Sequence, residues 1–355
     1  MAARLKKAIL VATTALACNL TSTAHSVELG NVTVYGKARL SADSTDDGAK
    51  RVTRVSESDS RLGFKGKEDL GNGLKAVFQI ETSVSLDAGA FSSGSLFGGG
   101  RNSYVGLEGG FGSAVLGIHN SPYRDATGKL DPFEESMADY NSIIGNISGN
   151  GTSSEYNRRE PNTVNYWSPL WKGFQFKAQY RFDENVAGAQ DRYSVSGTYE
   201  NGPLFASVSH ETHQGEGSGG VHDTQGNKLG LGYTVGEATK LGFVYENLSE
   251  EGATSAFDRN AWYVSLAHKI GSNTLKVAYG RAGDHDAADD SGADLFAVGA
   301  THHLSKRTEV FGLYAVTHND SQAAYHLGSG TNGVTAPSAA GQDVSSFSVG
   351  INHNF

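Results

Sequence analysis

Charged residues spaced two apart are the first chemical signature of this chain. Lys37 and Arg39 lie two apart in "VTVYGKARLS", and Arg61, Lys65 and Lys67 keep even spacing in "SRLGFKGKEDL". On an extended strand such residues share one face. Cations fixed to a wall make and break no bonds, but they set a field that draws and orders anions. A complementary acidic set, Asp131, Glu134, Glu135 and Asp139, falls within "LDPFEESMADY". Asp131 as N-cap, Pro132 at the first helical position and Glu134 three after the cap predict a short helix there. Acids facing basic groups across a narrow aqueous gap would order small polar solutes and reject apolar ones. The alternative for the same acids is a solvated external loop with an acidic face.

Bond-making chemistry finds less support. Of the 12 histidines, His302 and His303 sit beside a turn, while His119, His210, His213 and His318 mark strand ends. No G-x-S-x-G or H-E-x-x-H spacing joins them, which leaves catalysis by dispersed residues, as in a barrel hydrolase, as the enzymatic rival. The acidic run "DHDAADD" lacks the glycine placement of an EF-hand and reads as a solvated loop, so no metal and no cofactor are expected. The absence of a P-loop, of a G-x-G-x-x-G between strand and helix and of any basic tract past the first residues, with a pI near 5.7, speaks against nucleotides and nucleic acid.

Strands must position these charges. In "NTVNYWSPLWKGFQFKAQYRF" the set Phe174, Phe176, Ala178, Tyr180, Phe182 alternates with Gln175, Lys177, Gln179, Arg181, giving one greasy and one wet face. The same alternation sets Val32, Val34, Gly36, Ala38 and Leu40 against Thr33, Tyr35, Lys37 and Arg39. It also sets Leu74, Ala76, Phe78, Ile80 and Thr82 against Lys75, Val77, Gln79 and Glu81. Candidate strands begin near residues 32, 58, 74, 101, 112, 162, 173, 191, 203, 228, 239, 259, 273, 293, 308 and 345. Short turn-forming links such as "DLGNG", "GGFG", "ENGP" and "IGSN" alternate with longer segments at 43–57, 87–100, 120–161, 183–190, 213–227, 249–258, 284–292 and 318–344. An even strand count with every long connection at one end predicts an all-β antiparallel transmembrane barrel of sixteen strands; a soluble sandwich has no reason for such an asymmetry. The segment at 120–161 exceeds the ~12–15 residues of an ordinary structureless loop, so it should carry structure or function.

Composition agrees with a barrel. Residues of the AVILMFWYC set make up 38% of the 355, while Gly numbers 46 and Pro only 6, a balance suited to strands and tight turns. Mean hydropathy is −0.37 and no apolar run of about 20 residues follows the N-terminus, which disfavours membrane helices. Residues 1–26 read as a signal peptide: Arg4, Lys6 and Lys7, then an apolar stretch from Ala8 to Ala17, with a cut after Ala24 or Ser26. A single domain is then expected over 27–355. Cys18, the only cysteine, lies in the removed part, leaving no disulfide framework. Its alternative, an acylated lipoprotein cysteine, is disfavoured by Ala15 three positions before it.

Several motifs together resemble the general-diffusion porins of Gram-negative outer membranes, of the neisserial and beta-proteobacterial type. They are "VTVYGKARLS", "SRLGFKGKEDLGNGLKAVFQIE", "RNSYVGLEGGFGSAVLGIHN", "RREPNTVNYWSPLWKGF", "LSKRTEVFGLYA" and the terminal "FSVGINHNF", covering about Val32 to Phe355. The resemblance implies an outer-membrane homotrimer of sixteen-stranded barrels, each a water-filled pore for ions and small hydrophilic solutes. It further implies a third external loop folded inward and contact with outer-membrane lipid and lipopolysaccharide. Phe355 matches the terminal aromatic read by barrel assembly machinery. Arg61, Arg101 and Arg159 fall where family members place pore arginines, joined on the wall by Lys37, Arg39 and Lys65. Two registers stay open: setting Arg101 inward also sets Val105 and Leu107 inward, and Arg158 competes with Arg159, since a slip of one residue reverses the face. A substrate-specific channel and a receptor or adhesin are the remaining alternatives.

Overall fold

The computed structural model describes residues 27–29, 31–87, 100–147, 149, 155–184, 190–216, 222–251, 258–328 and 335–355. The expected signal peptide, 1–26, lies outside the described residues. The first strands are β1 (Val27–Leu29), β2 (Val32–Asp46), β3 (Arg51–Glu57), β4 (Arg61–Gly71), β5 (Leu74–Ser83), β6 (Ser103–Gly109), β7 (Gly112–Asn120), β8 (Arg159–Trp167) and β9 (Phe174–Arg181). They are followed by β10 (Arg192–Asn201), β11 (Leu204–His213), β12 (Thr224–Val235), β13 (Thr239–Glu250), β14 (Arg259–Ile270), β15 (Asn273–Ala282), β16 (Ala293–His303), β17 (Thr308–Asn319) and β18 (Val344–Asn354). Successive strands pair antiparallel, except that β3 and β4 both pair with β2, and β18 returns to β2 from Ser345↔Asp46 to Asn354↔Lys37. Closure joins the two ends of the sheet, so the wall finds its hydrogen bonds within itself, as lipid demands.

These segments make sixteen wall strands. β1 only folds back on the start of β2, and β3 and β4 are two halves of one wall strand, pairing with residues 40–46 and 32–37 of β2 respectively. The single strand expected from about residue 58 is therefore longer and divided. Its break is local: Asp59 adopts a left-handed φ of 57°, and Ser60 Oγ accepts from the Arg39 amide at 2.9 Å. The expected long loop at 43–57 is also corrected, because β2 and β3 run past one another as a hairpin turning at residues 47–50. At the opposite end the "GNG" turn joins β4 to β5 with positive φ at Gly71, Asn72 and Gly73, the chemistry of a tight hairpin.

Burial assigns the faces. Phe174 is 52% exposed whereas Gln179, in the alternate set of the same strand, is 5% exposed. Apolar side chains thus point out to the lipid side and polar ones into the barrel, an inversion of a soluble core. The C-terminus is part of the seam: the Phe355 amide donates to Gly36 O at 3.0 Å and the Gly36 amide to Phe355 O at 2.9 Å. The Phe355 ring lies over Gly36, where an added Cβ would meet it at 2.3 Å, so the glycine makes room for the ring.

Candidate functional site

Between β7 and β8 the chain makes its longest excursion. It begins with one helical turn, Pro122–Asp125, where Ser121 Oγ accepts from the Arg124 amide at 3.2 Å. The helix expected over "DPFEESMADY" does not form. Asp131 spends both oxygens on a turn, accepting from the Phe133 amide at 2.8 Å and the Tyr140 amide at 3.0 Å. Glu135 then takes a left-handed φ of 61°, which a right-handed helix cannot absorb. Asp139 closes the reverse turn by accepting from the Glu135 amide at 2.7 Å and the Asn141 amide at 2.9 Å.

Wall residues hold this segment from the polar register. Tyr123 donates to Glu246 at 2.7 Å, and the Gly145 amide donates to the other oxygen of that carboxylate at 2.7 Å. The Arg259 guanidinium, fully buried, donates to the carbonyls of Ile143 (2.9 Å) and Asn146. Tyr263 donates to Asp131 at 2.6 Å. Leu130, Phe133, Ile143 and Ile144 join Val244, Leu295 and Leu313 in one apolar cluster. His285, from the acidic run read as a solvated loop, is buried and bonds Ile147 O at 2.7 Å. That run therefore grips the segment rather than standing free.

The tip of the segment meets the basic wall. Glu135 is bonded to Lys37 through one oxygen and to Arg61 through the other, the latter at 2.6 Å. Burial alone would raise its carboxyl, but Lys37 and Arg61 outweigh burial and hold it below the usual carboxylate range. Asp131 and Asp139 are buried within the turns, and burial raises both. Glu134 alone of the four is open to water. Partial removal from bulk water, with Glu135 and Asp139 as neighbours, pushes it up to about 7.

The remaining expected residues divide by their partners. Arg39 sits over the Phe311 ring at 4.5 Å and Lys65 over Tyr35 at 5.0 Å. Arg101 is 6% exposed, donating to Asp59 and Glu81, each at 2.7 Å. It precedes β6, so its parity is uncoupled from the strand, and Val105 and Leu107 stay exposed on the lipid side. The register conflict expected at Arg101 is thereby removed. Arg159 donates to Asn102 Oδ1 at 2.9 Å and Gly100 O at 3.2 Å, with no carboxylate partner among the described residues. Arg158 instead lies 3.9 Å from Glu160. Sequence reasoning did not single out Asp59, Glu81, Glu246 or Arg259. Alternation had placed Glu81 on the wet face, but nothing in the sequence marks Asp59 as a left-handed break aimed at Arg101. No group of three or more His, Cys, Asp or Glu among the described residues is placed to hold a metal ion.

A family model described as Gram-negative porin matches residues 12–322. Major outer membrane protein P.IB of Neisseria gonorrhoeae is 30% identical over 339 residues, covering 85% of this chain and 91% of that protein. The solved anion-selective porin from Comamonas acidovorans superposes with a TM-score of 0.77 at 28% identity, covering 91% of this chain and 99% of its own. A trimer form of in-vitro folded OmpT of Vibrio cholerae gives 0.67 at 19% identity, covering 92% and 100%.

Proposed function

This chain belongs to the Gram-negative porin family, and from that premise we propose that residues 121–158 form the constriction of its pore and that Arg159 gives it a preference for anions. The protein is an outer-membrane β-barrel porin, a non-catalytic diffusion channel for ions and small hydrophilic solutes. The observation that carries the constriction is the reach of Glu135: a residue of the β7–β8 connection bonds Lys37 of β2 and Arg61 of β4. A segment spanning from β7 to that wall takes cross-section away from the barrel, and size becomes the first filter.

Selectivity follows from which charges are left over. Lys37 and Arg61 are offset by Glu135, and Arg101 by Asp59 and Glu81. Arg159 is offset by nothing within ion-pair distance among the described residues, so the field it sets acts on permeating ions. The solved relative described as anion-selective agrees with this sign. Reversal potentials across a planar bilayer in a salt gradient test it: an anion preference that falls in Arg159→Glu supports the reading, and an unchanged ratio refutes it.

We propose further that the chain assembles as a homotrimer. One solved relative is a trimer form. Exposed rings on the lipid side, Tyr180, Tyr193, Trp262, Tyr279, Tyr314 and Phe347, ride on β9 to β18. The outward faces of β5 to β7 are mostly aliphatic, presenting Ile80, Val105 and Leu116 beside one ring, Phe78. Aromatic girdles mark contact with lipid headgroups, so the girdled arc meets outer-membrane lipid and lipopolysaccharide and the aliphatic arc meets another protomer. Cross-linking in mild detergent tests this, monomers alone being the opposing result. Removal of residues 1–26 on export, and reading of Phe355 by the barrel assembly machinery, complete the proposal.

A further inference from the structure

The inner wall below the arginines carries an apolar patch that a pore for hydrophilic solutes does not require. Three rows of residues cross β5 to β9 there. In the middle row Val77, Gly106, Val115, Asn165 and Gln179 lie side by side. Tyr104 stands in the row above on β6, and Trp167 in the row below on β8. Gly106 supplies no side chain between them, and Val77 and Val115 are 6% and 1% exposed although both belong to the inner register. The rings meet over this floor: Tyr104 and Trp167 lie edge to face at 5.5 Å, and His119 tilts against Trp167 at 4.8 Å. All three stay half-exposed. Neither the Trp167 indole N–H nor the Tyr104 hydroxyl has a hydrogen-bond partner among the described residues.

Cations flank the patch. Lys177 pairs directly across from Trp167 but is tied to Asp125 at 2.9 Å. Arg159 acts electrostatically on His119 as Lys177 does, and it has no carboxylate partner among the described residues. An aromatic surface with unused donors beside an uncompensated cation suits a ring that carries an anionic substituent.

We propose that Tyr104, His119 and Trp167 form a transit subsite for planar aromatic carboxylates, with the solute ring against the Tyr104 and Trp167 rings and its carboxylate towards Arg159. The proposal rests on the reading of this barrel as an open pore. A ring pair adds interaction beyond burial that an aliphatic ring of the same charge and size cannot match. Benzoate should therefore be retained about 2- to 10-fold more strongly than cyclohexanecarboxylate.

The test measures, for the full-length protein in planar bilayers, the concentration of each acid that halves the chloride current. Wild type should show the benzoate advantage. Trp167→Ala and Trp167→Leu should both lose it, the second keeping apolar bulk without an aromatic face. Trp171→Ala, on an exposed turn away from the patch, should retain it. Equal half-blocking concentrations in wild type overturn the subsite, as does an advantage that survives in either Trp167 variant. Chloride conductance without added acid reports separately on the pore: its absence in wild type brings down the pore reading and this subsite together, whereas its presence with equal acids brings down the subsite alone.

Discussion

Two stretches of the same basic wall are treated in opposite ways by this fold. On β2 and β4, Lys37 and Arg61 converge on one acid, Glu135, delivered by the β7–β8 connection. Between β5 and β8, Arg101 is consumed by Asp59 and Glu81 while Arg159 is held only by an amide oxygen and a carbonyl. A neutralised cation can hold a segment in place yet contributes little field; an uncompensated one keeps its field. Counting basic residues, or quoting a formal charge of −9, therefore says little about what an ion meets in transit.

The largest effect is expected from removing the partner that one region needs. Deleting residues 130–145 takes away Glu135 together with Leu130, Phe133, Ile143 and Ile144, the segment's own share of the apolar cluster, so single-channel conductance should rise and the size cutoff relax in liposome swelling. Unchanged conductance would place the segment outside the current path.

Next in size is Arg159→Glu. At an effective dielectric of ~20, a unit charge ~6 Å from a permeating ion is worth roughly 3 kcal/mol before ionic screening. Reversing it should move the permeability ratio severalfold towards cations even after heavy screening. Arg61→Glu should shift selectivity less directly, because the new carboxylate stands beside Glu135 and Glu81 and repels the tip; excess current noise is the expected signature. Equal, quiet shifts from both variants would erase the distinction drawn here.

Glu135→Gln sharpens it from the other side. Neutralising the tip frees Lys37 and Arg61 from an anionic partner, so anion preference should rise while the weakened tie adds open-channel noise. A fall in anion preference would mean that the two cations do not face the current.

Acidification should act more gently. With its carboxyl pushed up to about 7, Glu134 is charged above that pH and protonated below it. Loss of a negative charge from the tip should raise anion preference as pH falls through about 7, and Glu134→Gln should flatten that step. A step that persists in the variant would belong to another group. The smallest effect is expected from Asp284→Asn: its carboxylate accepts from the Gly292 amide at 2.8 Å, on the stretch that holds the segment by its Ile147 end rather than at the Glu135 tip.

The barrel was legible in the sequence alone. Alternation with a period of two is a property of each strand alone, so Phe174, Phe176, Tyr180 and Phe182 declare their face without knowledge of neighbours, and short turns at one end against mostly longer links at the other supply strand direction, although the link expected at 43–57 is a turn at 47–50. The basic register of Lys37, Arg39, Arg61 and Lys65 was legible for the same reason. Which charges are spent depended on contacts between distant parts of the chain. Asp59 needed a left-handed break to reach Arg101, and Glu135 needed a turn in place of the expected helix to reach Lys37 and Arg61, 98 and 74 residues away in the chain. Arg259 needed β14 beside residues 143–146 before its buried charge found the backbone carbonyls there. Such pairings depend on where a long connection runs in three dimensions, and periodicity along one strand carries no information about a partner contributed by another.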